Sequence, residues 1–340
     1  MPSSVPPVLS PYVTPAPQGS LTLVTSVLDA ASNWLLLRYV HAALKNNVAD
    51  KPHGSGDVLA SDTGDHLQEN FKVIFVSVLR GFEQWREMGK RVVCEFFPLM
   101  LQRQYPSSLR KSIPPSLRFI FPFGILILAI TLENFSLRPK QGLDFAALMT
   151  TKRLFYINGL VEPTTSPNSQ QQNVNMITLD LSNTQDLENL VRRYAEHGKD
   201  DEHESKTIVI MDGLDFLLAS RPSVTNLSLS RTIMTLRQYV HNIIVTSSAD
   251  YPLLHNSSSS ATPLEGEHRA FVTTMAHQSR IVVQLRSLGT GAAKDISGVL
   301  RVSAGGAHDE SKEDDAAFEV AEWLYQIRGD GSVRVWGRGE

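Results

Sequence analysis

The chain has 340 residues, 42 % of them hydrophobic and 20 % charged, with a net charge of −3. That length allows one large domain or two ordinary ones, and the composition is that of a soluble globular protein. The slight negative charge excludes a global basic field for nucleic acid, and the single cysteine, Cys94, excludes an internal disulfide and a multi-cysteine zinc site.

Residues 1–18 are rich in proline and serine, lack the basic and apolar regions of a signal peptide, and are expected to be disordered. SLTLVTSVL, from Ser20, predicts a strand, and the next segment a helix with Trp34, Leu37, Val40 and Leu44 at helical spacing. After a polar loop, FKVIFVSVL from Phe71 is almost continuously apolar, as expected of a strand buried on both faces. A helix follows with Phe82, Trp85 and Met88 on one side. RLFYINGL and MITLDL read as strands, and the next helix turns Leu187, Leu190, Val191 and Tyr194 inward. Thr207 to Met211 is another buried strand, followed by a helix ending at His241, the strand NIIVTSSA and the helix HRAFVTTMAHQ. SRIVVQLRSL and GVLRVSAG read as neighbouring strands, and AEWLYQIRGDGSVRVWG as a final hairpin turning at GDG. This alternation predicts an α/β fold with a central, mainly parallel sheet flanked by helices and an antiparallel C-terminal extension.

The chemistry-bearing candidates are few. LGTGAAKDISG, from Leu288, has the composition of a phosphate cradle in Gly289, Gly291 and Lys294. A cradle needs a glycine directly before the lysine, a hydroxyl after it, and a helix N-terminus facing the anion. Here Asp295 follows Lys294 and a strand follows the loop, so the glycines are read as turn residues. After the first strand, where a phosphate loop belongs, Thr25 to Trp34 holds neither glycine nor lysine. No Walker A motif is present, and no catalytic residue, metal or cofactor is expected.

IVIMD ends at Asp212, the position of the acid that holds magnesium through water in an active ATPase. Without a cradle, Asp212 is read as a structural Walker-B-like remnant, with Asp215 capping the next helix. His197 and His203 fall in a charged loop, and His241 and His277 at helix ends, where the dipole favours them. The apolar run Phe119 to Leu132 is shorter than the roughly 17–25 residues of a spanning helix and contains Pro122, so no membrane span is expected.

VVQLRSLGTGAAKDISGVLRVSAGG, FVSVLRGFEQW, GLDF at Gly142 and TIVIMDGLDFLLA together resemble the family of the sixth subunit of the Elongator complex, in its filamentous-fungal form. The resemblance spans most of residues 20 to 306. It implies a RecA-like domain over residues 19–340, and a ring with the fourth and fifth Elongator subunits, which share that fold. It further implies a non-catalytic, tRNA-handling role in wobble-uridine modification to 5-carboxymethyl-type side chains, in the cytoplasm and nucleus. The remaining Elongator subunits are implied as further partners, and contact with tRNA is expected through the assembled ring. The local basic residues are Arg280, Arg286, Lys294 and Arg301, on or beside the paired strands. The alternative function is a divergent RecA-like ATPase with an unrecognised nucleotide site.

Residues 92–141 do not fit that pattern. They hold the lone cysteine and the membrane-like run, show no sustained periodicity, and separate REMGKR from GLDF, which the resembling family joins directly. Valine codons begin with GT and a glutamine codon can end in AG, so Val92 to Gln141 is read as a retained intron translated in frame. A lineage-specific insertion is the other reading.

Overall fold

The computed structural model describes residues 5–45, 70–92, 142–160, 175–196, 205–255, 261–289, 291, 293, 295–309, 319–337 and 339. The apolar runs become one ten-stranded sheet: β1 (Ser20–Ser26), β2 (Asn70–Ser77), β3 (Leu154–Asn158), β4 (Met176–Thr178), β5 (Ser205–Asp212), β6 (Asn242–Ser248), β7 (Ile281–Arg286), β8 (Gly298–Ala304), β9 (Ala321–Ile327) and β10 (Val333–Trp336). Their order is β10-β9-β8-β7-β1-β6-β5-β2-β3-β4. Strands from β7 to β4 in that order run parallel, while β8, β9 and β10 continue the β7 edge antiparallel.

Successive side chains of a strand point to opposite faces, so a run that is apolar throughout must be covered on both. In β2, Phe71, Val73 and Phe75 enter one core, while Ile74 and Val76 enter the other. The first core is closed by α2 (Asn33–Lys45), α3 (Phe82–Lys90) and α4 (Phe145–Thr150). The second is closed mainly by α5 (Thr184–Glu196), α6 (Phe216–Ser220), α7 (Asn226–Leu236) and α9 (Pro263–Gln278), with α8 (Tyr251–Leu254) at its rim. Local chemistry fixes where these helices start. Thr225 with Ser228, and Thr262 with Glu265, form reciprocal capping boxes, and Asp144 accepts from the amides of Ala146 and Ala147.

The strand order β7-β1-β6-β5-β2 inserts β6 between the first strand and the acid-bearing β5, which is the RecA-like arrangement. β1 leads to a helix on one face of the sheet and its neighbour β6 to helices on the other. The chain therefore parts at their C-terminal ends, making a topological switch point, where ligands bind in open α/β sheets.

Two details depart from the expectations. Residues 5–18 are not disordered. They form a 3-10 turn (Pro7–Leu9) and a short helix, α1 (Ser10–Val13). The cause is the antiparallel extension, whose apolar face carries Tyr325 and Val333 and needs a cover. Val5, Leu9 and Val13, four residues apart, supply it, and Tyr12 meets Trp323 edge-on at 5.4 Å. Second, α7 ends at Leu236, so His241 lies in the turn before β6 instead of at a helix end. The glycine-rich stretch after β7 does what was expected of it and joins an antiparallel pair, with Gly291 at φ +94°, a turn conformation. His197 and His203 lie outside the described residues.

The described part of the 92–141 block is Val92, and its exit and re-entry points are adjacent. The Leu143 amide donates to the Gly89 carbonyl at 3.0 Å. Gly142 passes so close to Lys90 that a Cβ would lie 2.4 Å from its carbonyl oxygen. Phe119 to Leu132 lies outside the described residues, among which no helix is long and apolar enough to cross a membrane.

Because the flanks already touch, a chain lacking residues 92–141 is expected to keep this fold and melt at no lower temperature than the full chain by circular dichroism. A lower melting temperature would make the block part of the fold. Leu9→Ala should cost about 2–4 kcal/mol, the range for truncating a buried leucine, in chemical denaturation. A disordered N-terminal segment would give no change.

Candidate functional site

A crevice of about 170 Å³ opens at the switch point, lined by the ends of β1, β2, β5 and β6 and the loops that follow them. Small-molecule sites run to roughly 300–1,000 Å³, so this one is small. Its floor is Asp212, the last residue of β5, with a side chain only 1 % exposed. Both carboxylate oxygens have partners from within the chain. Arg80 Nη1 lies 3.2 Å from Oδ1 and 3.1 Å from Oδ2, and the Ser77 hydroxyl donates to Oδ2 at 2.9 Å. Burial pushes the Asp212 carboxyl above the ordinary carboxylate range, and nearby Asp215 adds to that, while Arg80 and Ser77 pull it back down.

Sequence and packing place each of these groups. Ser77 ends β2 in register with Asp212. Its hydroxyl also accepts from the Arg80 amide at 3.2 Å and from the Trp85 indole at 3.0 Å, so its hydrogen-bonding capacity is filled. Trp85 is fully buried and meets Phe75 edge-on at 4.6 Å, and the Tyr156 hydroxyl donates to the Arg80 carbonyl at 2.8 Å. The Arg80 guanidinium sits 5.7 Å from the Trp85 ring centroid, within cation–π range. On the far side, Gly213 adopts φ +73°, letting the chain leave the sheet directly after Asp212, and its amide donates to Thr246 Oγ1 at 2.8 Å.

The loop after β1 makes no cradle. The turn from Val27 closes on itself through the Ala30 amide, 2.9 Å from the Val27 carbonyl. The Leu28 amide donates to Asp250 Oδ1 at 3.0 Å. Asp215 sits at the start of α6 but caps nothing with its side chain: its Oδ2 accepts from the Ser248 amide at 3.0 Å and lies 3.8 Å from His268 Nδ1. The expected helix cap is thus replaced by a tie between β5 and β6. The crevice lining holds three aspartates, Asp212, Asp215 and Asp250, and one arginine, already engaged. An anion entering it would meet repulsion. Among the described residues no cluster of histidine, cysteine or acidic groups could hold a metal ion.

Arg280, Arg286 and Arg301 do not form one cluster. Arg286 and Arg301 share a sheet face, since Arg301 pairs with Gln284, two residues from Arg286. Arg286 is tied to Glu322 on β9 at 2.6 Å. Arg280 lies at the other end of β7, about 20 Å along the strand from Arg286. Lys294 lies outside the described residues. Register adds Arg334 of β10 to the Arg286 face, where it packs over Trp336 at 5.1 Å. Arg80, Ser77 and Asp250 were not singled out by sequence reasoning. Ser77 and Arg80 lie within FVSVLRGFEQW, but only the fold brings them to Asp212.

Strand order and crevice together define a RecA-like α/β domain whose switch-point carboxylate is paired internally. The sequence model of the family Elongation complex protein 6 matches residues 125–328, more than half of the chain, and the chain belongs to that family, a subunit family of the Elongator complex. The match begins inside the 92–141 block and takes in α4 to β9, leaving β1 to α3 before it. No curated protein matches the chain. Among solved structures, a KaiC-like protein from the hyperthermophilic archaeon Pyrococcus horikoshii superposes with a TM-score of 0.48 at 11 % identity, covering 98 % of this chain and 97 % of its own. That distant likeness carries no functional inference.

Arg80→Ala would leave the buried Asp212 charge without its partner. Losing one partner of a fully buried pair costs about 3–5 kcal/mol. Arg80 keeps 26 % of its side-chain surface, so about 2–4 kcal/mol is expected in denaturant titration. Asp212→Asn, which leaves no buried charge, should cost less, and adding it to Arg80→Ala should restore about 1–2 kcal/mol. Simple additivity of the two substitutions would mean that the pair is not coupled.

Proposed function

We propose that this chain is a non-catalytic Elongator subunit that closes a hetero-hexameric ring with the fourth and fifth subunits, and that the ring handles tRNA during wobble-uridine modification. The observation that carries the non-catalytic reading is the engagement of both Asp212 oxygens by Arg80 and Ser77. A magnesium–nucleotide complex would have to break those bonds in a crevice that already holds excess negative charge. Family membership supports the place in the complex. A RecA-like domain in a ring presents two different surfaces to its neighbours, so loss of nucleotide chemistry still leaves it two contacts to make.

For tRNA, the supporting feature is the sheet face bearing Arg286, Arg301 and Arg334, all exposed. The net charge of the chain gives no general attraction to phosphate, so such a patch would act jointly with those of ring neighbours. The site of action we assign is the cytoplasm and nucleus.

Asp212→Asn in the assembled complex should leave wobble-uridine modification at the wild-type level, measured by mass spectrometry of tRNA nucleosides. Loss of modification from an intact ring would support the ATPase alternative. Replacing Arg286, Arg301 and Arg334 by alanine should reduce the slope of log affinity for tRNA against log salt by about 1–3, with the ring intact. An unchanged slope would remove this face from tRNA contact.

A further inference from the structure

The C-terminal edge of the parallel sheet has an apolar rim around a negative floor. Leu28 is 89 % exposed, and Leu79, Phe216 and Leu264 are each exposed by more than two-fifths. These are large apolar side chains on separate loops and helices, gathered around one opening. Leu28 and Leu79 line the switch-point crevice, and Leu79, Phe216 and Leu264 line a second crevice that continues from it past Asp215 and Ser248. Contiguous exposed apolar surface of this kind marks contact with another molecule.

The floor identifies the chemistry of that molecule. Asp250 and Asp215 each use one carboxylate oxygen on a backbone amide, of Leu28 and Ser248. Among the described residues, neither lies within ion-pair distance of a lysine or arginine, and the one arginine in the lining is bound to Asp212. A phosphate or carboxylate would be repelled here. A guanidinium or ammonium group would gain charge-assisted hydrogen bonds to the remaining carboxylate oxygens, and a rim of leucine and aromatic side chains would shield those bonds from water.

We infer that this edge docks a neighbouring polypeptide through an arginine or lysine flanked by apolar residues, the cation entering between Asp215 and Asp250. The inference rests on the ring reading for the identity of the neighbour, the fourth or fifth subunit, and on this chain's own geometry for the chemistry.

The test uses the full chain with both of those subunits, with association measured by sedimentation velocity. Leu28→Glu and Leu264→Glu alter exposed side chains of the rim and should weaken association at least tenfold with an unchanged melting temperature. Leu227→Glu, likewise exposed but on α7, is the control and should match wild type. Asp250→Asn keeps an oxygen to accept from the Leu28 amide but removes the charge. It should weaken association about threefold or more and flatten its salt dependence, which a merely structural role would not do. Wild-type association by both glutamate variants, or an unchanged salt dependence for Asp250→Asn, overturns the docking site while leaving the ring reading intact. If the wild-type chain fails to join these subunits, the ring reading falls. The docking chemistry is then judged by nuclear magnetic resonance titration with the capped tripeptides Leu-Arg-Leu and Leu-Gln-Leu. Shifts at Leu28 and Asp250 with the arginine peptide alone uphold it, and equal or absent shifts overturn it. Self-association of the isolated chain that Leu28→Glu abolishes, or ATP binding that Asp250→Asn weakens, would also overturn it by naming a different occupant.

Discussion

The contact on which this site depends is the one between Arg80 and Asp212. A carboxylate at the end of a buried parallel strand has left water without leaving its charge, and an isolated charge in such a place is very costly. In a nucleotide-binding relative of this fold a hydrated metal would supply the compensation. Here the chain supplies it from the turn after β2, with the Arg80 guanidinium. The remaining features follow. Ser77 has its hydroxyl fully engaged, Trp85 and Tyr156 fix the turn that carries Arg80, and the loop after β1 spends the Leu28 and Ala30 amides on internal partners.

How far this was legible in the sequence depends on the range of the interaction. The strands of the sheet were readable because burial on both faces forces continuous apolar runs, and β2 and β5 show them plainly. The antiparallel turn after β7 was readable because a loop that feeds a strand has no helix N-terminus to offer an anion. The partner of Asp212 was not readable: Arg80 is 132 residues away in the chain, and nothing local distinguishes it from any other arginine after a strand. The same limit applies to Asp215, whose place before a short helix suggested a cap. Only the adjacency of β5 and β6 reveals its bond to the Ser248 amide.

The N-terminal segment was misread for a different reason. Its prolines and serines carry the composition of a disordered tail, and composition is an average. Val5, Leu9 and Val13 at a spacing of four are the signal that survives averaging, because all three are buried in the same core. They matter only because the antiparallel extension presents an apolar face that needs a cover. The basic residues failed in the opposite direction. Proximity in sequence suggested one patch, whereas strand geometry puts Arg280 and Arg286 at opposite ends of β7 and commits Arg286 to Glu322.

These observations meet at the C-terminal edge of the sheet. An edge built around a nucleotide would be polar and would offer amides to phosphate. This edge is apolar at its rim and acidic within, and its remaining charge is the sign that attracts side chains of lysine and arginine rather than phosphate. In the docking reading, the closed turn after β1 and the exposure of Leu28 belong together. The turn that in a nucleotide-binding relative would wrap a ligand is here folded onto Asp250, and the Leu28 side chain is turned outward. If this edge docks a ring neighbour as we infer, the subunit contributes to its complex through surface complementarity, and the internal Arg80–Asp212 pair holds the floor beneath that surface in place.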